Sequence, residues 1–248
     1  TISTISRRGA LAGLAAASSL PAFAQTATPK PGGVLKVSHP TRVAQLNVLQ
    51  ISGPAEYLVM DMLYSGLTRL GMDMRPMPDL ATEWSATPDA REFTFKLRPN
   101  VTFHDGKPFT SEDVIATIKT ILDVKSNSPA RAVLNMIADV AAIDPMTVKF
   151  TLNSPYADLP VALCHANARI VSAELLKQPL TTLDTKAIGT GPFKVETYDS
   201  ARMLRLVKNP SYYQAGKPYL DAVEMHLFPD LAAESANFLS GAMDAMLE

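Results

Sequence analysis

The stretch that most constrains this chain is Glu92 to Val114, EFTFKLRPNVTFHDGKPFTSEDV. Phe93, Phe95 and Leu97 alternate with Thr94, Lys96 and Arg98, the two-residue period of a strand with one buried face. Pro99-Asn100 breaks the run, and Val101 and Phe103 resume the alternation, which predicts a second strand. Asp105-Gly106 then supplies a tight turn, because glycine accepts positive φ and an aspartate bonds its own local backbone. Thr110 is placed to cap a helix, with Asp113 three residues on as its capping-box partner. Val114, Ile118, Ile121 and Leu122 give that helix one apolar face. Strands, turn and capped helix follow one another within about two dozen residues, and the local signals agree on an α/β order.

The flanking sequence adds elements of both kinds. Gly32-Gly33 opens a strand at Val34 to Val37, and a helix is predicted from Pro54 to Leu67, with Leu58, Met62 and Leu63 inward and Gly66 at its end. Asp144-Pro145 is a turn, and after it Val148, Phe150 and Leu152 alternate as a strand. Pro155 to Leu163 and Ser172 to Gln178 read as short helices. Ile188-Gly189-Thr190-Gly191-Pro192-Phe193 is a glycine-dense turn, with Pro192 fixing φ where the chain enters a strand. It lacks the GxxxxGK[ST] pattern of a phosphate-cradling loop. Leu204 and Leu206, then Val223, Met225 and Leu227, alternate on further strands, and a helix after Pro229-Asp230 stops at Gly241.

These motifs carry a resemblance. LRPNVTFHDGKPFTSEDV resembles the signature of the solute-binding proteins of family 5, the extracytoplasmic receptors of peptide and nickel ABC importers. Asp79-Leu80-Ala81-Thr82-Glu83-Trp84, the GTGPF turn at Gly189 to Phe193, Gly216 to Asp221 and Leu239 to Asp244 are similar to further family motifs, in order, over most of Gly32 to Asp244. One departure is Leu46-Asn47, where the family has Leu-Asp-Pro. The resemblance implies an α/β fold of the periplasmic-binding-protein type II kind, present as a first lobe with an inserted subdomain and the second lobe missing. On that reading residues 25–53 and 180–248 form an incomplete lobe I core, residues 54–179 form the insert, and the chain is an N-terminal fragment.

In the family the loop after the first strand, here HPTRVAQLNVLQ, and the segment Cys164 to Arg169 pass the ligand cleft. The resemblance therefore implies Thr41, Arg42, His165 and Asn167 as candidate ligand contacts. Arg42 can offer a carboxylate its planar fork of donors, or serve as a solvated loop arginine. His165 is equally readable as a structural side chain, and Trp84 as packing under a hairpin or stacking on a ligand. The carboxylate that pairs with a peptide's amino terminus belongs, in the family, to the second lobe.

Residues 1–24 read as a targeting segment: Arg7-Arg8 in a polar start, a weakly apolar run, then Ala22-Phe23-Ala24 as a small-x-small cleavage pattern. The paired arginines resemble a twin-arginine signal, and the apolar run is too short to span a membrane. The chain starts at Thr1, so its own start is expected upstream. The formal net charge of -1 argues against a nucleic-acid surface. Cys164 is the sole cysteine, which excludes an intrachain disulfide and reads as a buried, inert thiol. No GxSxG or HExxH motif is present, and His39, His104, His165 and His226 lack metal-ligand spacing. Met60, Met62, Met72, Met74 and Met77 read as core and loop packing rather than a soft-metal box. The expected protein is a monomeric periplasmic receptor with no cofactor, no metal and no catalysis. It would take a small solute, a peptide first of all, and pass it to the transmembrane subunits of an ABC permease. Nickel or metallophore capture is the alternative within the family, and a periplasmic hydrolase the alternative outside it.

Overall fold

The structure is a computed structural model that describes residues 29–247. The predicted export residues Arg7, Arg8, Ala22 and Ala24 lie outside the described residues. In chain order the elements are β1 (Val34–Ser38), α1 (Pro54–Leu63), β2 (Thr68–Leu70), β3 (Pro76–Pro78), β4 (Ala81–Ala86), β5 (Glu92–Leu97), α2 (Ser111–Leu122), α3 (Ala130–Leu134), β6 (Ile137–Asp144), β7 (Thr147–Leu152) and α4 (Leu159–Ala162). They are followed by β8 (Phe193–Asp199), β9 (Met203–Lys208), β10 (Ala222–His226), α5 (Leu231–Leu239) and β11 (Ala245–Met246). β2 and β3 form a small hairpin, whose turn leaves Met72 and Met74 exposed rather than packed. The other strands form two sheets, β4-β5-β7-β6 and β11-β1-β10-β9-β8.

The first sheet is antiparallel throughout. Its inner face is the alternation read from sequence: Phe93, Phe95 and Leu97 on β5 and Val148, Phe150 and Leu152 on β7 are all buried. Phe95 meets Phe150 edge to face, with ring centroids 5.3 Å apart, while Trp84 packs at 6.0 Å against Phe95 within the hairpin. α2 packs on this sheet through Val114, Ile118 and Ile121. Its start is fixed as predicted. Asp113 Oδ2 accepts the Thr110 N–H at 2.9 Å, and Asp113 Oδ1 also accepts the Ala173 N–H at 2.8 Å.

The strand expected at Val101 and Phe103 is absent. Both side chains are buried, but the backbone makes only an isolated bridge from Thr102 to Pro108. The Asp105-Gly106 turn folds this segment onto itself, with Phe103 N–H on Lys107 O and Phe109 N–H on Val101 O, so no longer ladder can grow. β5 instead pairs with β4 and β7.

α1 also departs from expectation. It stops at Leu63, because Tyr64 is extended and Gly66 N–H donates to Asp79 Oδ2 at 3.1 Å. Its buried face is Ala55, Glu56, Val59, Met60 and Leu63, with Leu58 left 47% exposed. Glu56 turns inward because its Oε1 accepts the Ala44 N–H at 3.0 Å, tying the preceding loop to the helix. The helices expected at 155–163 and 172–178 shrink to α4 and a 3-10 turn at Leu175–Lys177.

In the second sheet β1 runs parallel to both β10 and β11, and β8, β9 and β10 are antiparallel neighbours. The GTGPF turn docks this sheet on α1. A Cβ at Gly189 would lie 2.0 Å from Leu63 O, and one at Gly191 2.4 Å from Met62 O, so only glycine permits the approach. Gly191 N–H donates to Leu63 O at 3.0 Å. His104 locks the turn from the other side: its Nδ1 accepts the Gly189 N–H at 3.2 Å and its Nε2–H donates to Gly191 O at 3.1 Å. Burial pushes the His104 pKa down to about 4, so the ring is neutral in this lock. α5 begins at an Asp230 cap and ends at Gly241 (φ 79°), where Gly241 N–H and Ala242 N–H return to Phe238 O and Asn237 O.

Candidate functional site

Three connecting segments converge beside α1: the loop after β1, the loop after α2 and the 164–169 segment, the last two each with one 3-10 turn. Side-chain amides join them. Gln50 Nε2 donates to Ser126 O at 2.7 Å. Asn167 Nδ2 donates to Val48 O at 2.9 Å and to Ile51 O at 3.0 Å, and Asn47 Nδ2 reaches Asp184 Oδ1 at 3.1 Å. Two buried polar atoms here, Asn167 Oδ1 and Ser128 Oγ, have no hydrogen-bond partner among the described residues. Such orphans are uncommon in folded proteins and mark places where a ligand or water completes the set. His165 is half-buried, and its Nδ1 accepts the Asn167 N–H at 3.1 Å. Burial, then the Arg169 charge, lowers its pKa, which favours a neutral ring offering Nε2–H as a donor.

The four candidates from sequence fall in two places. His165 and Asn167 belong to this junction. Asn167 is fully buried and spends its amide on the β1 loop, so its carbonyl oxygen alone remains free. Thr41 and Arg42 are exposed and line a separate depression with Tyr198, Asp199 and His226. Thr41 N–H donates to Nδ1 of the buried His39 at 3.0 Å, which fixes the turn out of β1.

A second cluster carries no motif of its own in the sequence. A cleft of about 450 Å³ is lined by Asp61, Ser65, Arg69, Asp79, Arg169 and Tyr212 among others. Asp79 is buried, and its carboxylate accepts the Tyr213 O–H and the Gly66 N–H. Burial raises its pKa above the ordinary carboxylate value, against the opposing pull of Tyr213 and Arg169. Tyr213 O–H also lies 3.0 Å from Ser65 Oγ, and Arg98 stacks 5.2 Å over the Tyr213 ring. Arg169 pairs with Asp61 at 2.6 Å. Cys164 lines the same cleft, buried as expected, with its thiol pKa raised by that burial. Arg169 belongs to the 164–169 segment that the family resemblance places at the cleft. The Asp79–Tyr213 pair, separated by most of the chain, leaves no sequence signal as a pair.

Among the described residues no His, Cys, Asp and Glu side chains are grouped to hold a metal ion, and no helix is long and apolar enough to cross a membrane. Residues 75–248 match the model of the bacterial extracellular solute-binding proteins, family 5 Middle. The chain is 32% identical over 164 residues to the glutathione-binding protein GsiB of Pectobacterium atrosepticum, covering 64% of this chain and 31% of that protein. It is 32% identical over 171 residues to the probable D,D-dipeptide-binding periplasmic protein DdpA of Escherichia coli (strain K12), covering 67% and 33%. Among solved structures, the PBP AgaA from A. tumefacien R10 in complex with agropinic acid superposes with a TM-score of 0.82 at 32% identity, over 86% of this chain and 43% of that one. The chain thus spans about a third of the length of the curated relatives it matches.

Proposed function

The chain belongs to family 5 of the bacterial extracellular solute-binding proteins, and from that membership we propose that it captures short peptides in the periplasm and delivers them to an ABC permease. The observation that carries this reading is the family match across residues 75–248, joined to relatives named for binding glutathione and D,D-dipeptides. The junction of the three loops supports it. A neutral, half-buried His165 at this junction offers a donor for a peptide carbonyl. No bond is made or broken in this role. Binding energy is spent on holding the solute, and closure around it is the state a membrane partner reads.

In this reading the sheet of β1 and β8 to β11 is the core of a lobe, residues 25–53 and 180–248, and residues 54–179 are its insert. Export follows the twin-arginine route through Arg7 and Arg8. Normal processing of an Arg7→Lys, Arg8→Lys double variant would count against that route.

The functional test is retention. This chain, and the product of the whole reading frame in which it lies, are incubated with a synthetic di- and tripeptide pool, washed, and read by mass spectrometry. The expected outcome is intact peptides retained in a one-to-one ratio by the product of the whole reading frame, and little retained by this chain alone. Retention of a nickel–histidine chelate in preference to peptides, or release of cleaved peptides, would overturn the reading in favour of metallophore capture or hydrolysis respectively.

A further inference from the structure

The segment Cys164 to Arg169 has two faces. Asn167 turns toward the loop after β1, while Cys164, Ala166 and Arg169 line the cleft of about 450 Å³ described above. The charges in that cleft are unevenly matched. Arg169 gives one guanidinium nitrogen to Asp61, but its Nε is buried with no partner among the described residues. Arg69, exposed on β2, has no ion pair among the described residues. Asp79 is the buried carboxylate nearest to neutralising them, yet its oxygens are taken by Tyr213 O–H and Gly66 N–H. Burial further biases Asp79 toward its neutral form. The walls therefore carry two guanidinium groups, that of Arg69 exposed and without an ion pair among the described residues and that of Arg169 shared with Asp61, and Leu70 and Tyr212 beside them offer apolar surface.

We propose that this cleft is a second ligand site, which takes the carboxylate of a small organic acid between the guanidinium groups of Arg69 and Arg169, with its carbon chain along Leu70 and Tyr212. A guanidinium matches the two oxygens of a carboxylate in plane and spacing. The site is distinct from the three-loop junction and does not rest on the peptide-capture reading.

Succinate is the probe, titrated into the chain while arginine Nε–H resonances are followed by NMR. The Arg169 Nε–H signal is expected to shift saturably, and succinamide, with the same skeleton and no carboxylate, is expected to leave it in place. Arg69→Ser should weaken succinate about fivefold, the scale of one exposed charge contact. Arg169→Lys keeps a charge for Asp61 but lacks the planar fork of donors, and should weaken it about tenfold or more. The proposal is overturned if succinate gives no saturable shift, if succinamide binds equally, or if inorganic sulfate binds as tightly as succinate. Should Arg169→Lys fail to fold, Arg69→Ser decides alone, since its side chain stands at the surface.

Discussion

The two large sheets differ in how they close. β4, β5, β7 and β6 come from residues 81–152 alone, and the inner faces of β5 and β7 are buried side chain after side chain beneath α2. The mixed sheet draws β1 from one end of the fold and β8 to β11 from the other, and β8 is mostly half-buried or exposed. Their helices repeat the contrast. α2 buries six residues, whereas α5 buries only Glu234 and leaves Leu231 69% and Leu239 83% exposed. An amphipathic helix stabilises a fold by the face it removes from water. The antiparallel unit is therefore the stable centre of the molecule, and α5 contributes little.

The largest expected effect tests that centre directly. Phe95 is fully buried and meets Phe93, Trp84 and Phe150, so Phe95→Ala should cost about 4 kcal/mol in urea unfolding. A loss under about 1 kcal/mol would break the comparison. Acid should act next, at the lock between the two regions. His104 has a folded pKa of about 4, below its ordinary 6.5, so the unfolded chain takes up the proton first as pH falls. Stability from this group is complete above about pH 6.5 and is lost between there and about pH 4, to a total of about 3 kcal/mol. Stability curves of the parent and His104→Gln, compared across that window, should converge as pH drops. A constant gap would show that the ring is not held neutral.

A smaller effect is expected at the α2 cap. Asp113→Ala removes the acceptor for two backbone N–H groups and should cost about 1–2 kcal/mol, read as a lowered thermal midpoint. The smallest belongs to α5. Leu239→Ser should change stability by no more than about 0.5 kcal/mol, and a large loss there would mean the helix packs more tightly than its exposure indicates.

The sequence was most legible where neighbours in the chain are neighbours in space. The alternation at Phe93, Phe95 and Leu97, that at Val148, Phe150 and Leu152, and the Thr110–Asp113 cap all appear as read. Alternation reports which side chains are buried, not whether a ladder forms, and so Val101 and Phe103 were buried without becoming a strand. Apolar counting placed Leu58 inside α1, but a hydrogen bond to Ala44 draws Glu56 in instead. In the candidate site, His165 and Asn167 are visible only through family resemblance, and Gln50 and Ser126 are joined by a contact between distant segments. The two glycines of the GTGPF turn were legible as a turn, yet their reason is the backbone of α1 pressing on them, which spacing cannot reveal.

The pairing of β1 with β10 has a consequence for biosynthesis. Val34 lies in register with Ala222 on a parallel ladder, while the antiparallel unit is complete once Leu152 has been made. A chain emerging from the ribosome can close the second long before the first, because only the first must wait for the ends of a very large loop to meet. Until then β1 is a strand with no neighbour, and an early strand without a neighbour invites the wrong one. Nascent chains arrested once Leu152 has cleared the ribosome, but before Ala222 is made, should already protect the 81–152 amides from exchange while leaving Val34 to Ser38 open. The order of synthesis would thus set a timetable for folding, with the sheet that needs both ends of the fold assembled last.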